Sequence, residues 1–275
     1  MNKHKLKLAD KSILLILFLI TLISLGPFLW MISTSFKSSG ALMSIPIEWI
    51  PNEISFKSYE KIIIELPFLR SLFNSILISV FSTLLTIISA SMAAFIFAKF
   101  EFKHKNVLFI LFLASMMVPL QVTGIPIFII LMKLKLINSY VGVIVPTVFN
   151  VFAIFLLRQY MRNISNEFIE AALIDGASYF QIYYRIIIPM SIVPITTLIV
   201  INFMNYWNDY FWPLIILTDP KKMTLPIMLS KLNSQYATEY NTLMAGSLIS
   251  MIPILIVYMF AQKYFIRGIQ EGGVK

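Results

Sequence analysis

Asp209 is the one charged residue within the long apolar runs of this 275-residue chain, and Asn202, Asn205 and Asn208 precede it at helical intervals. Positions i, i+3, i+6 and i+7 would put four polar groups along one stripe of a helix. Trp207 and Trp212 lie beside them in sequence. Carboxylate and amide groups next to aromatic rings suit a ligand with hydroxyl edges and apolar C–H faces, as a sugar has. The competing use of the same residues is hydrogen bonding between helices, with Trp at a membrane interface. Gln121 and Asn150 are further polar positions in apolar surroundings. Catalytic and metal-binding sets are missing: His4 and His104 are the only histidines, there is no Cys, and neither G-x-S-x-G nor H-E-x-x-H occurs.

A second set lies between Arg158 and Pro189. Ser165 can accept hydrogen bonds from the free amides of a following turn, and Glu167 suits a helix N-terminus. Ile169, Ala172, Leu173 and Gly176 then mark one face of a short helix that Gly176 can leave in a left-handed conformation. Ser178 and Gln181 have the spacing of a capping box for the next helix. Ala171 and Ala172 leave room for a neighbouring surface, and Glu170 and Asp175 can orient it. The expected chemistry is docking.

The elements that must carry these residues follow from composition. Hydrophobic residues make up 59% of the chain and charged residues 13%, too little polar surface for a water-exposed globule. Uncharged or nearly uncharged runs long enough to cross about 30 Å of hydrocarbon occur at 13–32, 72–98, 107–132, 140–157, 190–217 and 242–261. The expected fold is an all-α membrane protein with six transmembrane helices. The net charge of +9 is spread in short clusters between the runs, which speaks for topology signals and against a nucleic-acid stripe. With the N-terminus inside, thirteen of the 22 Lys and Arg fall in inner segments, so both termini are expected to be cytoplasmic. The serine, threonine and alanine stripe from Ser75 to Ala94 is expected to pack helices closely. Pro119, Pro126, Pro146, Pro194, Pro213 and Pro253 are expected to mark kinks.

The run EAALIDGASYFQIYYRIIIP, Glu170 to Pro189, resembles the EAA loop of permease subunits of ATP-binding-cassette importers. Glu170, Ala171, Ala172, Gly176, Ile186 and Pro189 match that loop, and Ile188 stands where it usually has Leu. MMVPLQVTGIP, NYWNDYFWPL and QKYFIRGIQEGGVK also resemble the carbohydrate branch, in particular its smaller, maltose-type membrane subunit. The resemblance implies a cytoplasmic coupling helix between spans four and five, with Glu170, Ala171, Ala172, Asp175 and Gly176 at the ATPase contact. It implies a six-span permease domain over 13–264, including the coupling loop 158–189, between a cytoplasmic N-terminus (1–12) and a cytoplasmic tail (265–275). The partners would be a second permease subunit, two cytoplasmic ATPases, an extracytoplasmic sugar-binding protein and the lipid bilayer of a bacterial-type plasma membrane, with no nucleic acid. This chain would bind no cofactor. No G-x-x-x-x-G-K-[ST] loop is present, so ATP and Mg would be used by the partners. Gln121, Asn150, Asn205, Trp207, Asn208 and Asp209 are the candidate substrate path. An ion-coupled transporter or channel, and an importer of a non-sugar solute, are the alternatives.

Overall fold

The computed structural model describes residues 8–38, 48–235 and 240–272, and among these every regular element is helical. By length and apolarity, four helical stretches can cross a membrane: Lys11–Ser35, Phe68–Lys99, Tyr140–Arg162 and Tyr240–Tyr264. A fifth candidate is the pair Tyr179–Met190 and Ile192–Trp207, bent by 78° at its junction. Helices used below are α1 (Leu8–Ser35), α2 (Phe68–Lys99), α3 (Lys105–Ser115), α4 (Leu120–Lys133), α5 (Tyr140–Ile144), α6 (Val151–Arg162), α7 (Glu167–Ile174), α8 (Tyr179–Ile182), α9 (Ile192–Trp207), α10 (Phe211–Ile216), α11 (Leu225–Gln235) and α12 (Tyr240–Gly272).

The expected uninterrupted run at 107–132 is two helices. At 11 residues, α3 spans only about 17 Å at the helical rise, well short of the hydrocarbon core. Its last turn tightens, with Met116, Met117 and Val118 donating to carbonyls three residues back, and Pro119 starts the next helix. The Pro ring biases Val118 away from helical geometry and removes a donor, so the break is local chemistry. The run at 190–217 is also broken, first at Ser191 and again at 208–210. Pro189 and Pro194 flank Ser191, and each withholds a backbone N–H from the helix.

The chain packs as two compact units. One contains residues 1–69 and 228–251. Here Phe36, Phe56 and Tyr59 form a ring cluster, with Ser35 Oγ 2.8 Å from Tyr59 Oη. Lys37 lies over the Trp30 ring at 4.2 Å and donates to the Glu48 carbonyl. From Ser12 to Leu25 the side chains of α1 are exposed, as in a helix that meets lipid or another subunit.

The other unit holds residues 70–227 and 252–275. Its larger core joins Ala90, Ala94, Phe95 and Phe97 of α2 to Ile154, Leu157 and Met161 of α6, Ile169 of α7, and Ile195 and Leu198 of α9. A second core gathers Ile78, Leu131, Val143, Trp212 and Ile216. The small-residue stripe of α2 is buried as expected, from Ser75 through Thr86 to Ala94. It does more than pack. Ser75 Oγ accepts the Leu225 N–H at 2.7 Å, supplying a partner for a helix-start amide of α11. Arg158, the expected first residue of the coupling loop 158–189, lies within α6, its guanidinium 3.8 Å above the Phe109 ring and its Nε donating to the Phe97 carbonyl at 3.2 Å.

Candidate functional site

The loop between α6 and α9 folds as its sequence suggests. Ser165 Oγ accepts the Glu167 N–H at 3.2 Å, and the Asn166 carbonyl accepts from Ile169 and Glu170 at 2.9 and 3.0 Å. Asn166 Oδ1 and the Ile164 carbonyl both receive the Lys99 ammonium, the former at 2.9 Å, so the end of α2 is tied to the start of α7. At the far end, the Ala177 N–H reaches the Ala172 carbonyl at 2.9 Å and the Gly176 N–H reaches that of Leu173 at 3.0 Å. This pair of bonds closes a helix through a left-handed residue, and Gly176 has φ +80°. A Cβ there would meet nothing within 4 Å, so glycine is required by backbone conformation alone. Ser178 and Gln181 form the expected reciprocal cap, with Gln181 Oε1 accepting the Ser178 N–H at 2.8 Å.

Burial divides the residues expected at the ATPase contact. Glu170, Ala171, Asp175 and Gly176 are exposed, whereas Ala172 packs inward beside buried Ile169. Phe168 and Ile174, three residues either side of Ala171, also face outward, Ile174 being 86% exposed. Sequence reading passed over both; their spacing about Ala171 was the available signal. The surface is thus an apolar strip bounded by Glu170 and Asp175. Behind it, Tyr179 of α8 and Tyr183 just after it pack against Phe100, which follows α2, at 4.8 Å and Phe95 of α2 at 5.6 Å, with Tyr183 Oη 2.7 Å from Ser91 Oγ.

The polar candidates lie around two helix breaks. Between α5 and α6, a short 3-10 turn at Val145–Thr147 leaves carbonyls without helical partners. The hydroxyl of Thr86 donates to the Thr147 carbonyl at 2.8 Å, which leaves it to accept from Tyr206 Oη at 2.9 Å. Ser89 Oγ donates to the Val148 carbonyl. Asn150 caps α6 by accepting the Ala153 N–H at 3.0 Å, and its Nδ2 donates to Asn202 Oδ1 at 3.1 Å. Asn202 is only 2% exposed and completes the chain by donating to the Leu198 carbonyl at 2.9 Å.

The second break changes the expected stripe. Helix α9 ends at Trp207, so Asn208 and Asp209 leave the face that Asn202 begins. Asn208 Nδ2 folds back onto the Met204 carbonyl at 2.8 Å, and Asp209 Oδ1 accepts the Trp212 N–H at 3.2 Å, capping α10. Asn205 is exposed and Trp207 is buried against Phe203, the rings 5.7 Å apart. The Gln121 side chain lies outside the described residues. Asn150 and Asp209 do come together, with Thr147, Phe149, Tyr206 and Trp212, around a cavity of about 270 Å³. Trp212 is itself buried, and its indole N–H has no hydrogen-bond acceptor. Leaving such a donor unmade costs about 1–3 kcal/mol. Among the described residues, no group of three or more His, Asp and Glu could hold a metal ion.

Residues 82–271 match the family described as binding-protein-dependent transport system inner membrane component. Over 280 residues, the whole of both chains, the sequence is 35% identical to the arabinooligosaccharides transport system permease protein AraQ of Bacillus subtilis (strain 168). It is 30% identical over 264 residues, 94% of each chain, to the lactose transport system permease protein LacG of Rhizobium radiobacter. Among solved structures, a chain of a bacterial ABC transporter involved in the import of the acidic polysaccharide alginate superposes with a TM-score of 0.83 at 26% identity. That alignment covers 96% of this chain and 99% of the other.

Proposed function

The chain belongs to the family of binding-protein-dependent transport system inner membrane components, and from that premise we propose that it is a permease subunit of an ATP-driven carbohydrate importer. It is the non-catalytic membrane component, and ATP is used by partner ATPases. The carbohydrate assignment is supported by relatives whose names specify arabinooligosaccharides and lactose. Six crossings account for the apolar runs if α3 with α4, and the bent pair ending in α9, each make one. The basic residues then favour cytoplasmic termini in a plasma membrane. A second permease, two ATPases using ATP with Mg, and an extracytoplasmic sugar-binding protein complete the assembly.

The observation that carries this reading is the helix Glu167–Ile174, closed at Gly176 and presenting Glu170, Ala171 and Asp175 outward beside exposed Phe168 and Ile174. In the proposed mechanism that strip sits on one ATPase. Closure of the ATPase pair moves α7, and the Lys99 contact and the Tyr179 and Tyr183 rings pass the displacement to α2. The permease alternates between outward and inward access by such displacements, and sugar passes between this chain and its partner permease.

Mild-detergent extraction tests the assignment. A nucleotide-binding subunit and a second permease should copurify with this chain, and replacing Glu170 and Ile174 together by Lys should release the ATPase while leaving membrane insertion intact. Saccharide transport by the chain alone, driven by an ion gradient, would overturn it.

A further inference from the structure

We infer that the cavity between the two helix breaks is a saccharide-contacting subsite contributed by this chain, and that it selects electroneutral sugars over acidic ones. The inference rests on the carbohydrate-importer reading above. Its first support is where the irregular backbone falls. Non-helical backbone within membrane-crossing runs is tolerated where protein buries it or where it lines a cavity, and discontinuous helices are a common place for transported ligands. Here the 145–150 break supplies Thr147, Phe149 and Asn150, and the 208–210 break supplies Asp209, to the same cavity.

The second support is the state of the polar groups. Trp212 is 4% exposed and lines the cavity, yet its indole N–H has no partner. That nitrogen is closed off from solvent, so what Trp212 offers a ligand in the cavity is its ring. Asp209 accepts the Trp212 backbone N–H at Oδ1, and a carboxylate has further lone pairs to accept a hydrogen bond from a hydroxyl. Phe149 is 73% exposed and adds an aromatic surface for the C–H face of a pyranose or furanose ring. Acceptor and rings together match the amphipathic character of a sugar.

Charge sets the class. None of the described residues lining the cavity is Lys or Arg, and the one carboxylate among them is that of Asp209. A uronate or phosphate would meet like charge with no compensating cation, whereas a neutral saccharide gains a charge-assisted hydrogen bond. The similar solved chain belongs to an importer of an acidic polysaccharide, so preference for neutral sugars would mark a difference in cargo within a shared fold.

The test uses the assembled permease and ATPase complex in nanodiscs, with tryptophan emission followed during titration by arabinotriose, maltotriose, lactose and trigalacturonate. At least one neutral sugar should change the emission, and trigalacturonate should not at the same concentration. Trp212→Phe should abolish the change. Asp209→Asn keeps the size and much of the hydrogen bonding, so it should raise the half-saturating concentration of the neutral sugar at least tenfold and let trigalacturonate respond. A wild-type response of equal strength to trigalacturonate, a response that survives Trp212→Phe, or discrimination unchanged in Asp209→Asn would each overturn the subsite. Uptake into proteoliposomes with binding protein and ATP separates the two levels. Import of a neutral sugar without any Trp212-dependent signal removes the subsite alone, and import of none of these saccharides removes the carbohydrate reading with it.

Discussion

Asn150 donates from Nδ2 to Oδ1 of Asn202 across 3.1 Å while its own Oδ1 receives the Ala153 N–H. One side chain therefore starts α6 and fixes its approach to α9. Two residues 52 apart in sequence share this bond, and both lie in apolar surroundings where an unpaired amide is expensive.

Asn150→Ala should lower apparent stability by about 1–3 kcal/mol through the lost cap and the orphaned Asn202 oxygen. Asn202→Ala should be similar, and the double variant should fall short of the sum by roughly 0.5–1.5 kcal/mol, because both remove one shared bond. Denaturant unfolding of the detergent-solubilised chain measures the cycle. Strict additivity would show that the pair is not coupled.

Gly176 is limited by its positive φ and has open space around it. Uptake should therefore decline from Gly to Asn to Ala to Val, with about 1–2 kcal/mol of local strain for Ala. A crowding effect would follow side-chain volume and would not spare Asn. Wild-type uptake by Gly176→Val would remove the argument that this turn aims the proposed docking helix.

Lys99 binds both the Ile164 carbonyl and Asn166 Oδ1 at the entrance to α7. Lys99→Met should lower the number of sugars imported per ATP hydrolysed severalfold, while the ATPase still copurifies. Lys99→Arg should recover part of the ratio. A variant in which uptake and hydrolysis fall in equal proportion would make Lys99 a stability residue only.

Two glycines should respond differently to the same added methyl. At Gly142 a Cβ would come within 2.2 Å of the Leu136 carbonyl oxygen, which is backbone and cannot move aside. At Gly246 the nearest atoms are the ends of the Ile62 and Leu229 side chains, at 2.4 and 2.8 Å. Gly142→Ala should destabilise by more than about 3 kcal/mol and Gly246→Ala by about 1–2 kcal/mol, compared by thermal unfolding in detergent. Equal losses would contradict the distinction.

The sequence alone determined that this chain is an all-helical membrane protein, where its apolar runs lie, and how the loop from Ser165 to Gln181 folds. Those features depend on composition and on contacts within a turn or two: the cap at Ser178, the left-handed exit at Gly176 and the apolar face at Ile169 are set by residues three to five apart. Tertiary structure decided the rest. Helical periodicity placed Asn208 and Asp209 on a stripe with Asn202, but that stripe presumes an unbroken helix, and α9 stops at Trp207. The bond from the Trp212 N–H to Asp209 Oδ1 that follows this stop spans only three residues, but the 3.6-residue period does not register it. The run through Thr147 could be interrupted because Thr86 and Ser89, some sixty residues earlier, take up its carbonyls. Periodicity cannot register such partners, since the hydrogen bonds that make a break affordable come from elsewhere in the chain.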